Sequence, residues 1–316
     1  MNPIVSVIIP TYKGSDVVER AVKSVLSQTY QPVEIIVVDD NGLEAKEQLQ
    51  TESVLKPYIE SKEIIYIPHK VNKNGSAARN TGVYASSGKY ITLLDDDDIY
   101  YPNKVELQVK ELDSLTNEYG LVYCSIECDY GDKLLTSYAT ESGDLFEKLL
   151  YHDVVIGSDT LMVRRNVYLE LNGFDESFKR HQDFEFTARV AKMWRIKAIN
   201  HIGVRSFELN RNAPKDKEQA IQYRKHYIDK MLSYFDDFSK QKKKKIIGCN
   251  YIMLYGPELR GGSYFAVYKD CRKLVQAHGY DFTMKDYICS IIHIIISKNK
   301  KKKTYRRYNG FFGKQT

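Results

Sequence analysis

The sequence of 316 residues lacks several features that mark common classes of protein. No stretch approaches the roughly 20 consecutive apolar residues that a membrane-spanning helix needs. Residues 1–6 lack the basic and apolar regions of a signal peptide, so we expect no export. The 5 cysteines are scattered and odd in number, which fits a reducing cytoplasm better than a disulfide framework.

Motifs for nucleotide loops and for zinc are missing as well. No G-x-G-x-x-G follows the first predicted strand, and the chain has no G-x-x-x-x-G-K loop. These absences count against dinucleotide oxidoreductases and P-loop enzymes. Cys124 and Cys128 have a C-x₃-C spacing without a second pair. Because they would share one face of a strand, we interpret them as core residues rather than zinc ligands.

Charge is unevenly distributed along the chain, whose net charge is +6. Residues 241–316 contain 17 lysine and arginine residues against 4 acidic ones, so the first 240 residues are mildly acidic. A basic tail on an acidic body indicates that the tail contacts an anionic surface. On charge alone, nucleic acid and an anionic membrane both qualify.

The basic tail is preceded by an apolar run, Tyr287 to Ile296, that is too short to span a bilayer. At helical spacing, one face carries Ile288, Ile291, Ile292 and Ile295. This face fits either a helix docked on the body or a helix on a membrane surface, and the neighbouring basic residues favour an anionic leaflet. Nucleic acid does not explain the isoleucines, and the acidic body would repel it, so we expect no nucleic-acid partner.

Strands and helices alternate four times in the first 100 residues. The predicted strands are Val5–Ile9, Glu34–Val38, Ile64–Ile67 and Tyr90–Leu94. This alternation predicts an α/β fold with a parallel sheet covered by helices on both faces. In such sheets, ligands bind outside the carboxyl ends of the strands.

Three of the four predicted strands end in polar residues, which predicts a nucleotide crevice at that edge. The first strand ends in Pro10, Thr11 and Tyr12, and the second in Asp39 and Asp40. The two aspartates could accept hydrogen bonds from a base or ribose. Tyr12 could stack on a base or be an ordinary surface aromatic.

A helix predicted to face the same edge carries Arg79 and Asn80. Arg79 could bind phosphate or be a simple surface arginine.

The strand ending at Leu94 is followed by four consecutive aspartates, Asp95 to Asp98. So much negative charge at the end of a buried strand is costly unless a cation shares the site. Mg²⁺ characteristically joins one or two carboxylates to substrate phosphates, so the run predicts a metal that holds a phosphorylated ligand. A solvated acidic turn is the alternative.

A second acid is needed if the acceptor is a hydroxyl group. Asp183 lies in the first turn of a helix predicted over Gln182 to Met193, with Phe184, Ala188 and Ala191 on its inner face. By position alone it could be a general base or merely a favourable partner of the helix dipole.

Five sequence blocks together resemble glycosyltransferase family 2. They are Val5-Ser-Val-Ile-Ile-Pro-Thr-Tyr-Lys13, Glu34-Ile-Ile-Val-Val-Asp-Asp-Asn41, Ala78-Arg-Asn-Thr-Gly82, Gly88-Lys-Tyr-Ile-Thr-Leu-Leu-Asp-Asp-Asp-Asp98 and Asn172-Gly-Phe-Asp-Glu176 followed by Gln182-Asp183. The resemblance implies a GT-A fold, with a mostly parallel central sheet flanked by helices. We expect a catalytic domain over residues 1–212 and a helical, basic extension over residues 213–316.

The resemblance also implies roles for individual residues. Thr11, Tyr12 and Asp40 match positions that hold the nucleoside. Asp95 to Asp97 cover the D-x-D motif of the family, with Asp97 as the principal Mn²⁺ or Mg²⁺ ligand and Asp95 or Asp96 reaching the ribose or the metal. Asp183 matches the general base. The chain departs from the family at Gln182, where a glutamate is usual, and this puts a role of that glutamate in doubt.

The resemblance predicts an inverting transfer of a sugar from a nucleotide-diphosphate donor, with UDP expected, to a glycan or lipid-linked hydroxyl. The expected setting is the synthesis of capsule, O-antigen or another surface polysaccharide, in the cytoplasm or on the inner face of the plasma membrane. Two alternatives remain open. One is a sugar-phosphate nucleotidyltransferase, although Pro10-Thr-Tyr-Lys-Gly14 is a poor match to its glycine-rich basic loop. The other is a non-catalytic sugar-nucleotide-binding module.

Overall fold

The structure is a computed structural model that describes residues 2–131, 133–207 and 214–309, with side chains described to residue 300. It divides into two compact units. The first comprises Met1–Phe146 and Ile156–Asn210, and the second comprises Glu147–Val155 and Arg211–Thr316. The domain boundary predicted at residue 212 lies outside the described residues and stays a prediction.

One sheet organises the first unit. Its strands are β1 (Val5–Thr11), β2 (Val33–Asp39), β3 (Ile65–Pro68), β4 (Tyr90–Leu93), β5 (Ile99–Tyr100), β6 (Tyr119–Asp129), β7 (Leu134–Ser137), β8 (Leu161–Arg164) and β9 (Arg195–Phe207). They lie in the order β3-β2-β1-β4-β8-β6-β9-β5, and β7 pairs with β6. Strands β1 to β4 are mutually parallel, whereas β8 runs antiparallel to β4, so the complete sheet is mixed.

The predicted α/β class is confirmed. The helices of the first unit are α1 (Val18–Leu26), α2 (Lys46–Glu60), α3 (Gly75–Ala85), α4 (Lys104–Ser114), α6 (Arg165–Glu170) and α7 (Gln182–Met193). Helix α5 (Phe146–Leu150) begins at the last residue of the segment Met1–Phe146, and its other residues belong to the second unit. Strand β1 is buried on both faces, as expected of a strand covered by helices, and the side chains from Val5 to Ile9 are fully buried.

Helix α7 has the predicted bounds, but the residue that anchors its inner face differs. Phe184 was expected to point inward, whereas the fully buried ring is that of Phe186. It packs with Tyr168 and Phe174, at centroid distances of 5.3 and 4.7 Å. No side chain caps the N-terminus of helix α1.

The second unit is helical, as predicted for the C-terminal extension. It contains α8 (Lys217–Leu232), α9 (Lys240–Ile252), α10 (Gly256–Arg260), α11 (Tyr264–Gln276) and α12 (Met284–Asn309). Asp286 joins α12 to α9, since it accepts hydrogen bonds from Gln241 Nε2 (2.9 Å) and Lys244 Nζ (2.8 Å). Within the described part of the chain, no helix is long and apolar enough to cross a membrane.

Helix α3 packs closely on the sheet at Gly82. A Cβ atom placed there would overlap Ile8 Cγ2 and lie 3.2 Å from Val38 Cγ2. The absence of a side chain at Gly82 therefore sets the distance between α3 and strands β1 and β2.

We expect Gly82→Ala to lower the free energy of unfolding by about 1–3 kcal/mol, because an added methyl group overpacks this contact. The measurement is urea unfolding, with Tyr84→Ala on the exposed side of the same helix as the control. Helix propensity alone would instead raise stability by about 0.5–1 kcal/mol. Such an increase would contradict the close packing.

Candidate functional site

The ends of β1, β2 and β4 meet at one edge of the sheet, as predicted. Thr11 and Asp39 are register partners at the ends of β1 and β2, and Ile8 pairs with Leu93 next to the acidic run. The Thr11 hydroxyl donates a hydrogen bond to Asp96 Oδ2 at 2.6 Å. A side chain at Gly14 would overlap Asp96, so this glycine leaves room for that contact.

Asp40 is buried and anchors the loop that leads from β3 to α3. Its carboxylate faces His69 Nδ1 at 2.7 Å, Asn72 Nδ2 at 2.9 Å, and the backbone amides of Lys73 and Asn74 at 2.8 Å each. These four partners use about the full accepting capacity of a carboxylate. Asp40 therefore shapes this edge of the crevice, and its direct contact with a nucleoside stays a prediction.

Asp39 lies fully buried beside Asp40. It accepts hydrogen bonds from the backbone and side-chain amides of Asn41, at 2.9 and 2.8 Å, and from the Tyr66 hydroxyl at 2.7 Å. Burial raises the pKa of the Asp39 carboxyl above its usual value. Its contacts are those of a group that fixes the turn after β2.

Tyr12, at the end of β1, is 45% exposed, and the Lys13 ammonium lies 5.2 Å from its ring centroid. Pro10 is half-buried within β1. The exposed ring of Tyr12 is available for stacking, but a stacking role stays a prediction.

Asn80 joins α3 to the segment that precedes α7. Its Oδ1 accepts from the Tyr168 hydroxyl (2.7 Å) and the Phe174 amide (2.9 Å), and its Nδ2 donates to the Phe174 carbonyl and Glu176 Oε1, each at 2.9 Å. A side chain at Gly173, where φ is 66°, would overlap Asn80 Oδ1. Asn80 thus holds two of the sequence blocks together from within the protein.

Arg79 occupies the centre of the acidic site. Its buried guanidinium forms an ion pair with Asp95, and its Nε has no hydrogen-bond partner among the described residues. Burial opposes the charge of Arg79, but Asp95, Asp159 and Asp183 together raise its pKa above the usual value. Arg79 is therefore the cation that links the acidic run to the helix of the predicted base.

The acidic run is held by groups that sequence reasoning did not identify. Asp159 is buried and accepts a hydrogen bond from the Asp95 backbone amide at 2.6 Å. It precedes β8, whose antiparallel direction places its first residues at the carboxyl ends of the parallel strands. The sequence signal was an aspartate just before the apolar residues Leu161 to Val163, and it did not reveal the direction of the strand.

Asp98 is buried and shares a hydrogen bond with Asp159. Asp98 also accepts from the Phe207 amide at 2.9 Å. Burial is the main cause that raises the pKa of Asp98 to about 7, and it raises the pKa of Asp159 well above the usual value. Protonation of this pair reduces the negative charge at the edge near neutral pH.

Asp97 is half-buried, and its backbone carbonyl accepts a hydrogen bond from Arg20 at 2.6 Å. The described side chains contain no group of three or more His, Cys, Asp or Glu residues arranged to hold a metal ion. Asp97 and Asp95 nevertheless offer the oxygen ligands that suit Mg²⁺ or Mn²⁺ when a substrate supplies further oxygens.

Asp183 lies in the first turn of α7, a helix that begins directly after His181, whose φ is 67°. Its Oδ1 accepts from the Phe184 amide at 2.9 Å. Burial raises the pKa of Asp183 to about 6, although the Phe184 amide and Arg79 oppose the shift. A carboxyl with this pKa is ionised near neutral pH and is a stronger base than an ordinary aspartate.

Two neighbours distinguish the start of α7. Glu185 forms a buried pair with Arg189, which also donates to the carbonyl groups of Leu171 and Gly173 at 2.7 Å each. Gln182 Oε1 is buried and has no hydrogen-bond partner among the described residues. The pair with Arg189 fixes α7, whereas Gln182 contributes an unsatisfied acceptor beside Asp183.

The chain is similar in sequence to several glycosyltransferases. The chain is 29% identical over 260 residues to an uncharacterized glycosyltransferase of Rickettsia prowazekii, covering 80% of this chain and 78% of that one. It is 28% identical over 197 residues to the Escherichia coli UDP-Glc:alpha-D-GlcNAc-diphosphoundecaprenol beta-1,3-glucosyltransferase WfgD, covering 62% and 73%. An uncharacterized glycosyltransferase of Rickettsia typhi is matched over 57% of its length.

Solved structures share the fold. Staphylococcus aureus TarS 1–349 in complex with UDP-GlcNAc superposes with a TM-score of 0.64 at 15% identity, covering 96% of this chain and 91% of that one. The mannosyltransferase PcManGT of Pyrobaculum calidifontis, in complex with GDP-Man and Mn²⁺, gives a TM-score of 0.55 at 15% identity, covering 92% and 87%. These likenesses confirm the predicted GT-A type of fold.

The family model described as glycosyl transferase family 2 matches residues 6–177, more than half of the chain. This match contains three of the five sequence blocks completely, the first block except Val5, and the Asn172 to Glu176 part of the fifth. The chain belongs to glycosyltransferase family 2.

Proposed function

We propose that the protein moves a sugar from a nucleotide-diphosphate donor to an acceptor hydroxyl with inversion at the anomeric carbon. The observation that carries this proposal is the buried Arg79, which pairs with Asp95 at the donor edge. Burial opposes its charge, but Asp95, Asp159 and Asp183 raise the pKa of Arg79 above its usual value. Arg79 therefore interacts electrostatically with both the donor-binding edge, at Asp95, and the predicted base, Asp183. This arrangement suits a reaction in which a hydroxyl loses its proton while a diphosphate departs.

The donor binds at the edge formed by Thr11, Tyr12 and the acidic run. Asp39 and Asp40 hold the crevice wall, with Tyr12 against the base and Asp95 or Asp96 near the ribose. We name UDP as the donor nucleotide because TarS was solved with UDP-GlcNAc and WfgD is named for UDP-Glc. PcManGT, solved with GDP-Man, shows that the fold alone does not fix the base.

A divalent cation, Mn²⁺ or Mg²⁺, fits the acidic run with Asp97 and Asp95 as ligands. One or two protein carboxylates plus substrate phosphates are the usual ligand set of Mg²⁺. When bound, the cation would neutralise the charge that develops on the departing diphosphate. The Mn²⁺ complex of PcManGT supports this proposal.

Asp183 acts as the general base. Its carboxylate takes the proton of the acceptor hydroxyl while the hydroxyl oxygen forms a bond to the anomeric carbon. The bond from that carbon to the diphosphate oxygen breaks on the opposite side, and its electron pair leaves with the diphosphate. One displacement inverts the anomeric configuration.

The acceptor is a glycan or lipid-linked saccharide, and the setting is surface-polysaccharide synthesis in the cytoplasm or at the inner face of the plasma membrane. The name of WfgD, which specifies a diphosphoundecaprenol-linked acceptor, supports a lipid-linked acceptor. A sugar-phosphate nucleotidyltransferase or a non-catalytic binding module would give no sugar transfer. Assays of transfer and of donor hydrolysis separate these alternatives.

We expect Asp183→Asn to lower sugar transfer about 10²- to 10⁴-fold, because the amide cannot accept the proton. Donor binding, measured by calorimetry, should be retained. The control is Asp216→Asn, which changes an exposed aspartate at the start of α8. Near-normal transfer by Asp183→Asn would contradict the assignment of the base.

The acid limb of kcat/KM should have its midpoint near pH 6. Since the pKa of Asp183 is raised to about 6, its active carboxylate form is lost as pH falls through that value. An ordinary aspartate, with a pKa of about 3.9, would retain full activity to about pH 5. A midpoint near pH 4 in the wild type would contradict this prediction. It would also be contradicted if Asp183→Asn kept the same acid limb of kcat/KM as the wild type.

A UDP-sugar with Mn²⁺ should raise the Tm by several degrees, because a ligand at about 100 times its Kd stabilises the folded state by about 2.7 kcal/mol. Chelation of the metal should remove most of this shift, and Asp97→Ala should make it independent of Mn²⁺. The control is Asp236→Ala at an exposed site. If the Tm shift is equal with and without chelator for every sugar nucleotide of a panel, the proposed metal dependence is wrong.

Asp159 is a positioning residue for the acidic run. We expect Asp159→Ala to raise the donor KM about tenfold or more, because a buried amide without an acceptor costs about 1–3 kcal/mol. Asp159→Asn should recover most of the loss, since its amide oxygen can still accept from Asp95. In the control Asp144→Ala, the amide freed at Phe146 is at an exposed site where water can replace the carboxylate. Equal effects of the alanine and asparagine variants at Asp159 would contradict this role.

A further inference from the structure

Helix α12 of the second unit carries an exposed apolar face. Four isoleucines on it are each about half exposed, namely Ile288 (50%), Ile292 (49%), Ile295 (51%) and Ile296 (50%). Their spacing of three, four and eight residues places them along one side of the helix. The same side begins with Met284, which is 38% exposed. Isolated exposed apolar residues are ordinary, but a continuous row marks an interaction surface.

The other side of α12 is used inside the unit. Asp286, Tyr287 and Ser290 are buried, and Ser290 donates to the Asp286 carbonyl at 2.9 Å. Asp286 holds Lys244 and Gln241 of α9. Packing therefore fixes the rotation of α12, and the isoleucine face points away from the helices that hold it.

Exposed aromatic rings lie beside the first turns of α12. Tyr264 and Phe265, at the start of α11, are 55% and 60% exposed. The Tyr287 hydroxyl of α12 donates to the Tyr264 carbonyl at 3.0 Å, which fixes the two helix starts together. Aromatic and aliphatic side chains of this kind partition well into the headgroup boundary of a bilayer.

The exposed charged side chains that the structure describes on α12 itself are all basic. Lys285 lies exposed at its beginning, and Lys298 and Lys300 lie exposed at its end. The sequence continues with Lys301, Lys302, Lys303, Arg306, Arg307 and Lys314, and it has no acidic residue after Asp286. A bilayer with anionic headgroups complements this arrangement. A parallel pair of two α12 helices would bring their basic C-terminal ends together, which is unfavourable.

We propose that the isoleucine face of α12, defined by Met284, Ile288, Ile292, Ile295 and Ile296, lies in the interface of an anionic phospholipid bilayer. The isoleucines enter the acyl boundary, and the exposed Lys285, Lys298 and Lys300 contact the headgroups. This contact lies parallel to the membrane and does not require a spanning helix. It goes beyond the proposed catalytic function and does not depend on it, since binding is measured without turnover.

The experiment is co-sedimentation of the full chain with vesicles of phosphatidylcholine alone or with about a third of phosphatidylglycerol. We expect partitioning at least about tenfold higher on the anionic vesicles, because each basic residue near the surface adds to the attraction. Moderately high salt should reduce it, since salt screens exposed charges beyond a few ångströms. Equal partitioning on both vesicle types, or no partitioning on either, would overturn the proposal.

Substitutions test whether the isoleucine face itself contributes to vesicle binding. The triple change Ile288→Ser, Ile292→Ser and Ile295→Ser should lower partitioning at least about tenfold, while Leu49→Ser with Tyr84→Ser and Met193→Ser, at equally exposed sites of the first unit, should not. Circular dichroism checks that each variant is folded. Equal loss in both triple variants would overturn the proposal.

Cys289 provides a direct reporter, because it is exposed on α12 whereas Cys124, Cys249 and Cys271 are buried and Cys128 is half-buried. An environment-sensitive dye on Cys289 should shift to the blue and become protected from iodide on anionic vesicles. If the same changes arise instead with protein concentration, without vesicles, and accompany a dimer in sedimentation, the face pairs two copies and the proposal is wrong.

Discussion

The site depends on how the protein accommodates negative charge at the end of β4. Asp96 and Asp98 of the acidic run and Asp159 are buried at one sheet edge, beside the partly exposed Asp95. Burying carboxylate charge without partners costs free energy. The protein meets this cost in three ways. Arg79 supplies a buried cation, Thr11 and backbone amides donate hydrogen bonds, and the pair of Asp98 and Asp159 keeps a proton to higher pH. An ion pair left incomplete here would be strongly destabilising, so the cluster is a condition of the fold as well as of the proposed chemistry.

The same cluster explains why α7 is coupled to the sheet edge. Arg79 and Asn80 are consecutive residues of α3, and their side chains contact different parts of the protein. Arg79 pairs with Asp95, whereas Asn80 holds Phe174 and Glu176 ahead of α7. One short segment of helix thus sets both the acidic run and the approach to Asp183. The helix itself sits at a distance from the sheet that Gly82 determines.

Sequence patterns predicted a large part of this arrangement. The alternation of apolar strands and helices predicted the α/β class and the shared edge of β1, β2 and β4, because carboxyl ends of parallel strands meet at one edge. The bounds of α7 followed from its periodicity, but its inner ring did not, since Phe184 and Phe186 are both aromatic and only packing against Tyr168 selects Phe186. The hydrogen bonds of Asp40 and Asn80 within the protein were also not predictable. A polar residue at a strand end or on a helix gives the same sequence pattern whether it binds a ligand or holds a neighbouring loop.

What the sequence by itself determined is the membership of the family, the parallel half of the sheet and the concentration of acid at its edge, since these follow from local order along the chain. Tertiary structure alone decided which charges neighbour one another. Asp159 joins Asp95 only because β8 runs antiparallel to β4, and the isoleucine face of α12 is exposed only because Asp286 and Tyr287 turn the opposite side inward. Both outcomes depend on contacts between residues distant in the chain. Local sequence patterns do not show which distant residues will meet, so they cannot predict these contacts.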